Sequence, residues 1–282
     1  MLATSVTARA DGEAAEVGVE PASACLFVPP GLKKFKLDLF ERIARKVGRA
    51  VHHDYDVLAR LPDEIVPVVG CTPELRPLID EWIARGRRWV YWDRGYARRV
   101  FATWLPRGSG GGYYRWHIGS YQLQTVDPVC PADRWQVLGV DHCVLPWRTN
   151  KGKHIVVAEP SPTYQRFHQI EGWTERTIAA LRCYTDRQLI RRDKECPRSL
   201  QQDLDGAHAL VTHGSIAAVE AVILGCPVFV DVSSAAALVG RTDLSQIENP
   251  VYPERSAWLH SLAYSQFSES ELVDGTLWRL LK

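Results

Sequence analysis

No Cys-x-x-Cys pair occurs among the seven cysteines of this 282-residue chain, and Cys25, Cys71, Cys183 and Cys226 fall in or beside apolar segments. An odd number of thiols so placed argues against a disulfide framework, so a reduced, cytoplasmic setting is the expectation. The "DHC" at 141–143 has no second ligand pair at a recognisable spacing, so no metal is expected. No apolar run approaches the ~20 residues that a membrane span requires. Residues 1–22 lack the apolar region of a signal peptide and read as a flexible leader. The formal net charge is +1, which excludes a polyanion binder acting through bulk charge. The glycine cluster at 108–112 lacks the Lys-Ser/Thr of a P-loop, and no dinucleotide fingerprint is present, so the cluster reads as a loop.

What is present is alternation. "ACLFVPP" (24–30), "EIVPVVG" (64–70) and "RRWVYWD" (87–93) read as strands. Between them, "KKFKLDLFERIARKVG" (33–48) has near-helical apolar spacing. "TPELRPLIDEWIARG" (72–86) has Thr72 as N-cap and Pro73 at the first helical position. The middle, 104–150, is irregular. From 151 the pattern restarts, with strands in "KHIVVAEPSPT", "RQLIRRD", "HALVTH" and "CPVFVD". Helices are expected at "WTERTIAALRCYT", "SLQQDLDGA" and 215–224. The tail reads as two amphipathic helices, with Ser268 and Glu271 forming a capping box for the second. Strands alternating with helices predict α/β architecture in two Rossmann-like halves, 23–150 and 151–282.

The stretch "THGSIAAVEAVILGCPVFV" (212–230) carries the sharpest signal. Thr212, His213, Gly214 and Ser215 join a strand end to a helix start. Backbone N–H groups and the positive helix end there form an anion site suited to a diphosphate. Gly214 would admit the phosphate and Ser215 would cap or donate. Glu220, about 1.4 turns further on, would accept hydrogen bonds from two ribose hydroxyls. An ordinary N-cap followed by a solvated or ion-paired glutamate fits the same local pattern.

"HGSIAAVEAVILGCPVF" resembles the nucleotide-sugar motif of GT-B glycosyltransferases, a glycine/serine turn followed by Glu-Ala-x-x-x-Gly-x-Pro. Glu220, Ala221, Gly225 and Pro227 fit it. "DLSQIENPVYPERSAWLHSLAYSQFS" resembles the tail of often phage-encoded proteins of that type. Their upstream "YxDxGYxxR…YYR" element is compatible with Tyr91, Asp93, Gly95, Tyr96, Arg99, Tyr113, Tyr114 and Arg115. The resemblance implies a compact GT-B-like fold and a nucleotide-diphosphate sugar as co-substrate, with UDP-sugar first choice. It also implies a glutamate on the ribose and the turn on the diphosphate. Ser161, Thr163, Arg148, Arg191 and Arg192 are further donor-side candidates. No Asp-x-Asp occurs in a suitable setting, since "DLD" (203–205) falls in a helical stretch, so metal-independent transfer is expected.

Residues 76–115 hold nine arginines against three acids, with nine aromatics interleaved. Guanidinium for phosphate and ring for base is the chemistry of a nucleic-acid groove. A packed core with a solvated basic surface accounts for the same composition. With the phage-like resemblance, the first reading expects duplex DNA as partner and a 5-hydroxymethylpyrimidine as acceptor, contacted by Arg94, Arg98, Arg99, Tyr114 and Arg115. A cell-surface saccharide acceptor and a non-catalytic nucleic-acid-binding protein are the alternatives. Asp93, an acid amid the arginines at a strand end, is the candidate general base, with an ion pair to Arg94, Arg98 or Arg115 as the competing role. His53 (with His52) is the second candidate and His117 the third.

Overall fold

The computed structural model describes residues 23–30, 34–96, 112–149 and 152–281. β1 (Ala24–Phe27) is an apolar run too short for a helix and is buried at every position, as a strand covered on both faces must be. α1 (Lys34–Val47) follows, with Leu39, Phe40, Ile43, Ala44 and Val47 in the core at helical spacing. Then come β2 (Val51–His52), α2 (Tyr55–Ala59) and β3 (Val66–Val69), again wholly buried. A 3₁₀ turn at Pro73–Leu75 leads into α3 (Arg76–Ala84). β4 (Val90–Arg94) and β5 (Tyr113–Ile118) complete this part of the chain. Thr72 precedes the 3₁₀ turn, as expected, but its hydroxyl makes no capping bond.

β5 lies in the stretch expected to be irregular. It alternates buried aromatics (Tyr114, Trp116) with Arg115 and His117, which are buried as well. The period-2 signal is hidden because both faces of the strand are covered and the polar positions find partners inside.

A connection carrying α4 (Asp133–Leu138) reaches the second sheet. There the order along the chain is β6 (His154–Ala158), α5 (Pro162–His168), α6 (Trp173–Leu181), β7 (Gln188–Arg192), α7 (Leu200–Leu204), β8 (Ala207–Val211), α8 (Ile216–Ile223) and β9 (Val228–Phe229). The chain ends in α9 (Ser256–Tyr264), β10 (Gln266–Ser268), α10 (Glu269–Asp274) and α11 (Thr276–Leu280).

The two sheets share one topology. The parallel strands of the first run β2-β1-β3-β4, with β5 antiparallel on β4 and β10 antiparallel on β5. The second runs β7-β6-β8-β9, all parallel. In each, the strand order reverses beside the first strand, so a crevice opens at the carboxyl ends of β1 and β3, and of β6 and β8.

Packing crosses the expected break near 150. Leu123, Trp135, Leu138, Val140 and Cys143 already pack in the second half's core with α8 and α9. The tail crosses back: β10 joins the first sheet, and Phe267, Leu272, Leu277 and Trp278 pack with the apolar face of α1. The tail is thus three helices and a strand rather than two helices. "QFS" is extended because β5 offers it an edge, a partner no local pattern reveals. The Ser268–Glu271 capping box is present. Among the described residues no helix is long and apolar enough to cross a membrane.

α8 is apolar nearly all round, with Ala218, Val219, Ala221, Val222 and Ile223 buried. Gly225 ends it with φ +74°, and a Cβ there would lie 2.0 Å from the Pro146 carbonyl oxygen. The glycine of the Gly-x-Pro motif is therefore required twice, for backbone conformation and for passage of a neighbouring chain.

Candidate active site

Asp93 and Arg115 lie opposite each other on β4 and β5. Arg115 Nη2 donates to Asp93 Oδ2 at 2.9 Å, and its Nη1 donates to the Arg94 carbonyl at 3.1 Å. The Arg94 amide donates to Asp93 Oδ1 at 2.7 Å. The guanidinium sits over the rings of Tyr91 and Tyr96, at 5.8 and 5.4 Å. The Arg115 side chain is 4% exposed and that of Asp93 35%. A carboxylate open to solvent is thus held by a cation that is not, so the ion-pair role foreseen for Asp93 is realised with Arg115.

The second half supplies the facing wall. Ser161 caps α5, accepting from the Tyr164 amide at 3.3 Å. The Thr212 hydroxyl donates to the Ala158 carbonyl at 2.7 Å, tying the end of β8 to the end of β6. Ser215 caps α8 through the Ala217 amide at 3.3 Å. The Tyr164 hydroxyl is 3.3 Å from His213 Nδ1, and His213 Nε2 is 3.8 Å from Asp231 Oδ2 at the end of β9. The His168 ring lies on Tyr164 with centroids 4.0 Å apart. Burial, then His213, pushes His168 down to about 3, and burial lowers His213 as well. Both imidazoles are therefore neutral at neutral pH. Burial works to raise the Asp231 carboxyl, but hydrogen bonds from Ser233 outweigh it and hold the group below the usual carboxylate range.

The two walls are electrostatically coupled. Tyr164 lies in the fields of Arg115 and Asp93 from the first half and of Asp231 from the second. Cys71, just past β3, lies in the fields of Asp93, Arg115 and Lys194, the last of these just past β7. Burial pushes that thiol up to about 12, so it stays protonated. The halves also touch directly: Arg76 Nη1 donates to the Phe167 carbonyl at 3.0 Å, and the Phe167 ring meets Tyr121 at 5.3 Å.

The structure therefore brings Asp93, Arg115, Ser161, Thr212, His213, Gly214 and Ser215 to the facing strand ends. Glu220 sits partly buried on α8, in line with the partly buried Ile216 and Ala217 one turn earlier.

Several expected residues are elsewhere or engaged. His53 Nδ1 donates to the Val28 carbonyl (2.7 Å), just past the end of β1. Asp93, on β4, is two strand spacings, about 10 Å, from there, so the two are not in contact. His117 is buried, hydrogen-bonded to the Tyr96 hydroxyl at 2.8 Å, and pushed down to about 3 by burial and by Arg115. Tyr114 is in the first core, because the pleat sends it to the face opposite Arg115. Arg191 is shared by Glu159 (2.8 Å) and Glu175 (3.0 Å). Arg192 pairs with the buried Asp203, and the Arg148 guanidinium donates to the Leu204 carbonyl. Arg98 and Arg99 lie outside the described residues.

At Gly214 the space a side chain would fill is taken by the Tyr164 hydroxyl, 2.3 Å from a would-be Cβ, so the glycine accommodates that tyrosine. The expected arginine–aromatic groove does not form among the described residues. Trp82, Trp89, Tyr91, Trp92, Tyr96 and Tyr114 are buried, Arg87 donates to the carbonyls of Pro62 and Ile65, and Arg85 pairs with Asp63 and Glu81.

Tyr164, His168, Asp231 and Gln122 are at the site without having been singled out from the sequence. Asp231 had a readable signal, an acid at the end of "CPVFV" just as Asp93 ends "VYW". Tyr164 had none, since α5 begins among prolines that look like a turn.

No protein-family model matches the chain, and no curated protein does. Among solved structures it is similar to the KpsC β-Kdo 2,7-transferase of Thermosulfurimonas dismutans, with a TM-score of 0.51 and 13% identity over 89% of this chain and 99% of that one. At that identity the likeness is one of fold. It agrees with the two-sheet architecture above, and the fold is GT-B-like, as the sequence resemblance implied.

Proposed function

We propose that the protein is a glycosyltransferase that moves a sugar from a nucleotide-activated donor to a hydroxyl of a saccharide acceptor. What supports this is the GT-B-like fold, in which the Asp93–Arg115 pair is linked through Tyr96 and the 122–123 segment to the 212–215 turn of the other half. The donor lies in the second half. Its phosphate meets backbone N–H groups at the start of α8, where the helix end is positive, and Glu220 accepts from the ribose hydroxyls. The acceptor hydroxyl lies against Asp93. As its oxygen bonds to the anomeric carbon, Asp93 takes the proton. The bond from that carbon to the phosphate oxygen breaks, and the turn stabilises the negative charge that develops there. Arg115 holds one carboxylate oxygen in place, and the Arg94 amide fixes the other.

The acceptor side is where the reading departs from the sequence expectation. A hydroxymethylated base in DNA required exposed rings and free guanidinium groups, and the described aromatics of 76–115 are largely core. A saccharide needs neither, and the structural neighbour is itself named for a sugar transfer.

Thermal shift against nucleoside mono- and diphosphates tests the donor side, since a ligand bound by the folded state alone raises Tm. Product analysis with the stabilising nucleotide's sugar then compares oligosaccharides with hydroxymethylated duplex DNA. Stabilisation by no nucleotide would refute the transferase reading, and transfer to the DNA alone would refute the saccharide acceptor.

A further inference from the structure

We infer that Gln122, in the segment leaving β5 of the first half, sets the geometry of the phosphate turn in the second. The inference rests on reading 212–215 as that turn. Gln122 is 2% exposed, and both ends of its amide are used. Nε2 donates to the Gly214 carbonyl at 2.7 Å, and Oε1 accepts from the Ala235 amide at 3.0 Å. One side chain therefore joins the loop after β8 to the loop after β9, the two that carry His213 and Asp231.

The consequence follows from peptide geometry. In a trans peptide the carbonyl and the following N–H point in opposite directions. Holding the Gly214 carbonyl toward Gln122 turns the Ser215 N–H the other way. That N–H belongs to the group of donors at the start of α8 on which an anion depends. The Tyr164 hydroxyl packs beside Gln122 Nε2 on the same side of Gly214, 2.3 and 3.1 Å from a would-be Cβ, so no side chain fits there.

The anchor is itself anchored to the acceptor side. The Leu123 amide donates to the Tyr96 hydroxyl at 2.8 Å, that hydroxyl bonds His117 Nε2, and the Tyr96 ring lies under the Arg115 guanidinium that holds Asp93. Gln124 adds a bond from its Nε2 to the Ser233 carbonyl at 2.9 Å. Contact thus runs without a break from Asp93 to Gly214. Gln122 is a positioning residue, and the donor turn is completed by the segment that joins the two halves.

Two variants test this. Gln122→Met keeps the volume and removes both hydrogen bonds. Gln122→Glu keeps the acceptor for Ala235, and donates to Gly214 only when protonated. In ligand-free protein, hydrogen exchange at the 214–218 amides of Gln122→Met should rise, while exchange in β6 stays as in wild type. Affinity for the nucleotide probes UDP, CMP and GDP should fall roughly tenfold for whichever stabilises wild type, about the worth of one hydrogen bond to a charged group. Gln122→Glu should show that loss at pH 8 and recover toward wild type at pH 5.5, each compared with wild type at the same pH. A purely structural role would not produce that recovery. If wild type responds to a nucleotide and both variants bind it within twofold, with unchanged exchange at 214–218, the role of Gln122 is overturned and the transferase reading stands. If no nucleotide stabilises wild type, the transferase reading fails, and the role falls with it.

Discussion

Replacing Asp93 by Asn separates two roles that the structure joins in one residue. The variant keeps shape but leaves the Arg115 guanidinium, 4% exposed, without its counter-charge. Two unit charges 2.9 Å apart attract by about 6 kcal/mol at an effective dielectric of 20. Asp93 is about one-third exposed, so water screens part of this, and about 2–3 kcal/mol is the expected net coupling. Asp93→Asn should therefore lower stability by about that amount. Arg115→Met should cost a similar or smaller amount, because the exposed carboxylate regains water. The double variant should be more stable than the sum of the single losses implies, and urea unfolding of all four proteins gives the coupling directly. Catalysis should not follow stability. If Asp93 is the base, single-turnover transfer falls roughly 10²–10⁴-fold in Asp93→Asn, and it stays down in the double variant although stability returns. Donor affinity should change little in either. A single-turnover rate for Asp93→Asn within a few-fold of wild type would remove Asp93 as base. A coupling below about 0.5 kcal/mol would show that the pair contributes no more than an exposed surface pair does.

Glu220→Ala should weaken binding of the stabilising nucleotide by roughly tenfold or more, the loss of at least one hydrogen bond to a charged acceptor. Its Tm should stay near wild type, and calorimetry showing unchanged affinity would remove the ribose role. Gly225→Ala should destabilise by roughly 2–4 kcal/mol through left-handed strain and overpacking against Pro146, and a loss below 1 kcal/mol in urea unfolding would contradict that account. His117 and His168 are neutral when folded and protonate on unfolding, so the unfolded chain binds more protons below about pH 6.5. Stability should fall as pH drops from there toward the folded values of about 3, by at most about 1.4 kcal/mol per pH unit for each group. His168→Phe should flatten that acid limb, and an unchanged pH profile of the urea midpoint would show that His168 does not contribute to it.

The sequence by itself determined the elements whose cause is local. β1, β3, β6 and β8 are short apolar runs bounded by turn residues. α1 carries helical apolar spacing, and α8 has a serine cap at one end and Gly225 at the other. The Ser268–Glu271 capping box needs only four consecutive residues. The strand-turn-helix at 208–223 was legible for the same reason, and with it the place of the 212–215 turn. The alternation of these elements gave the α/β class and two halves.

What tertiary structure alone decided is which distant groups meet. β5 is a strand because β4 and β10 pair with it, and β10 crosses the molecule to do so. Arg115 is buried beside Asp93 while Arg191 is shared by two glutamates, yet in the sequence both are arginines in basic runs. Gln122 and Gly214 are 92 residues apart and joined by one hydrogen bond. Local rules act over three or four residues because that is the reach of a helical turn or a strand pair. Burial and charge pairing depend on distances that exist only once the two sheets face each other. That is why the 212–215 turn and Asp93 could be singled out along the chain, whereas which arginine pairs with Asp93, and the glutamine bonded to Gly214, become visible only in the fold.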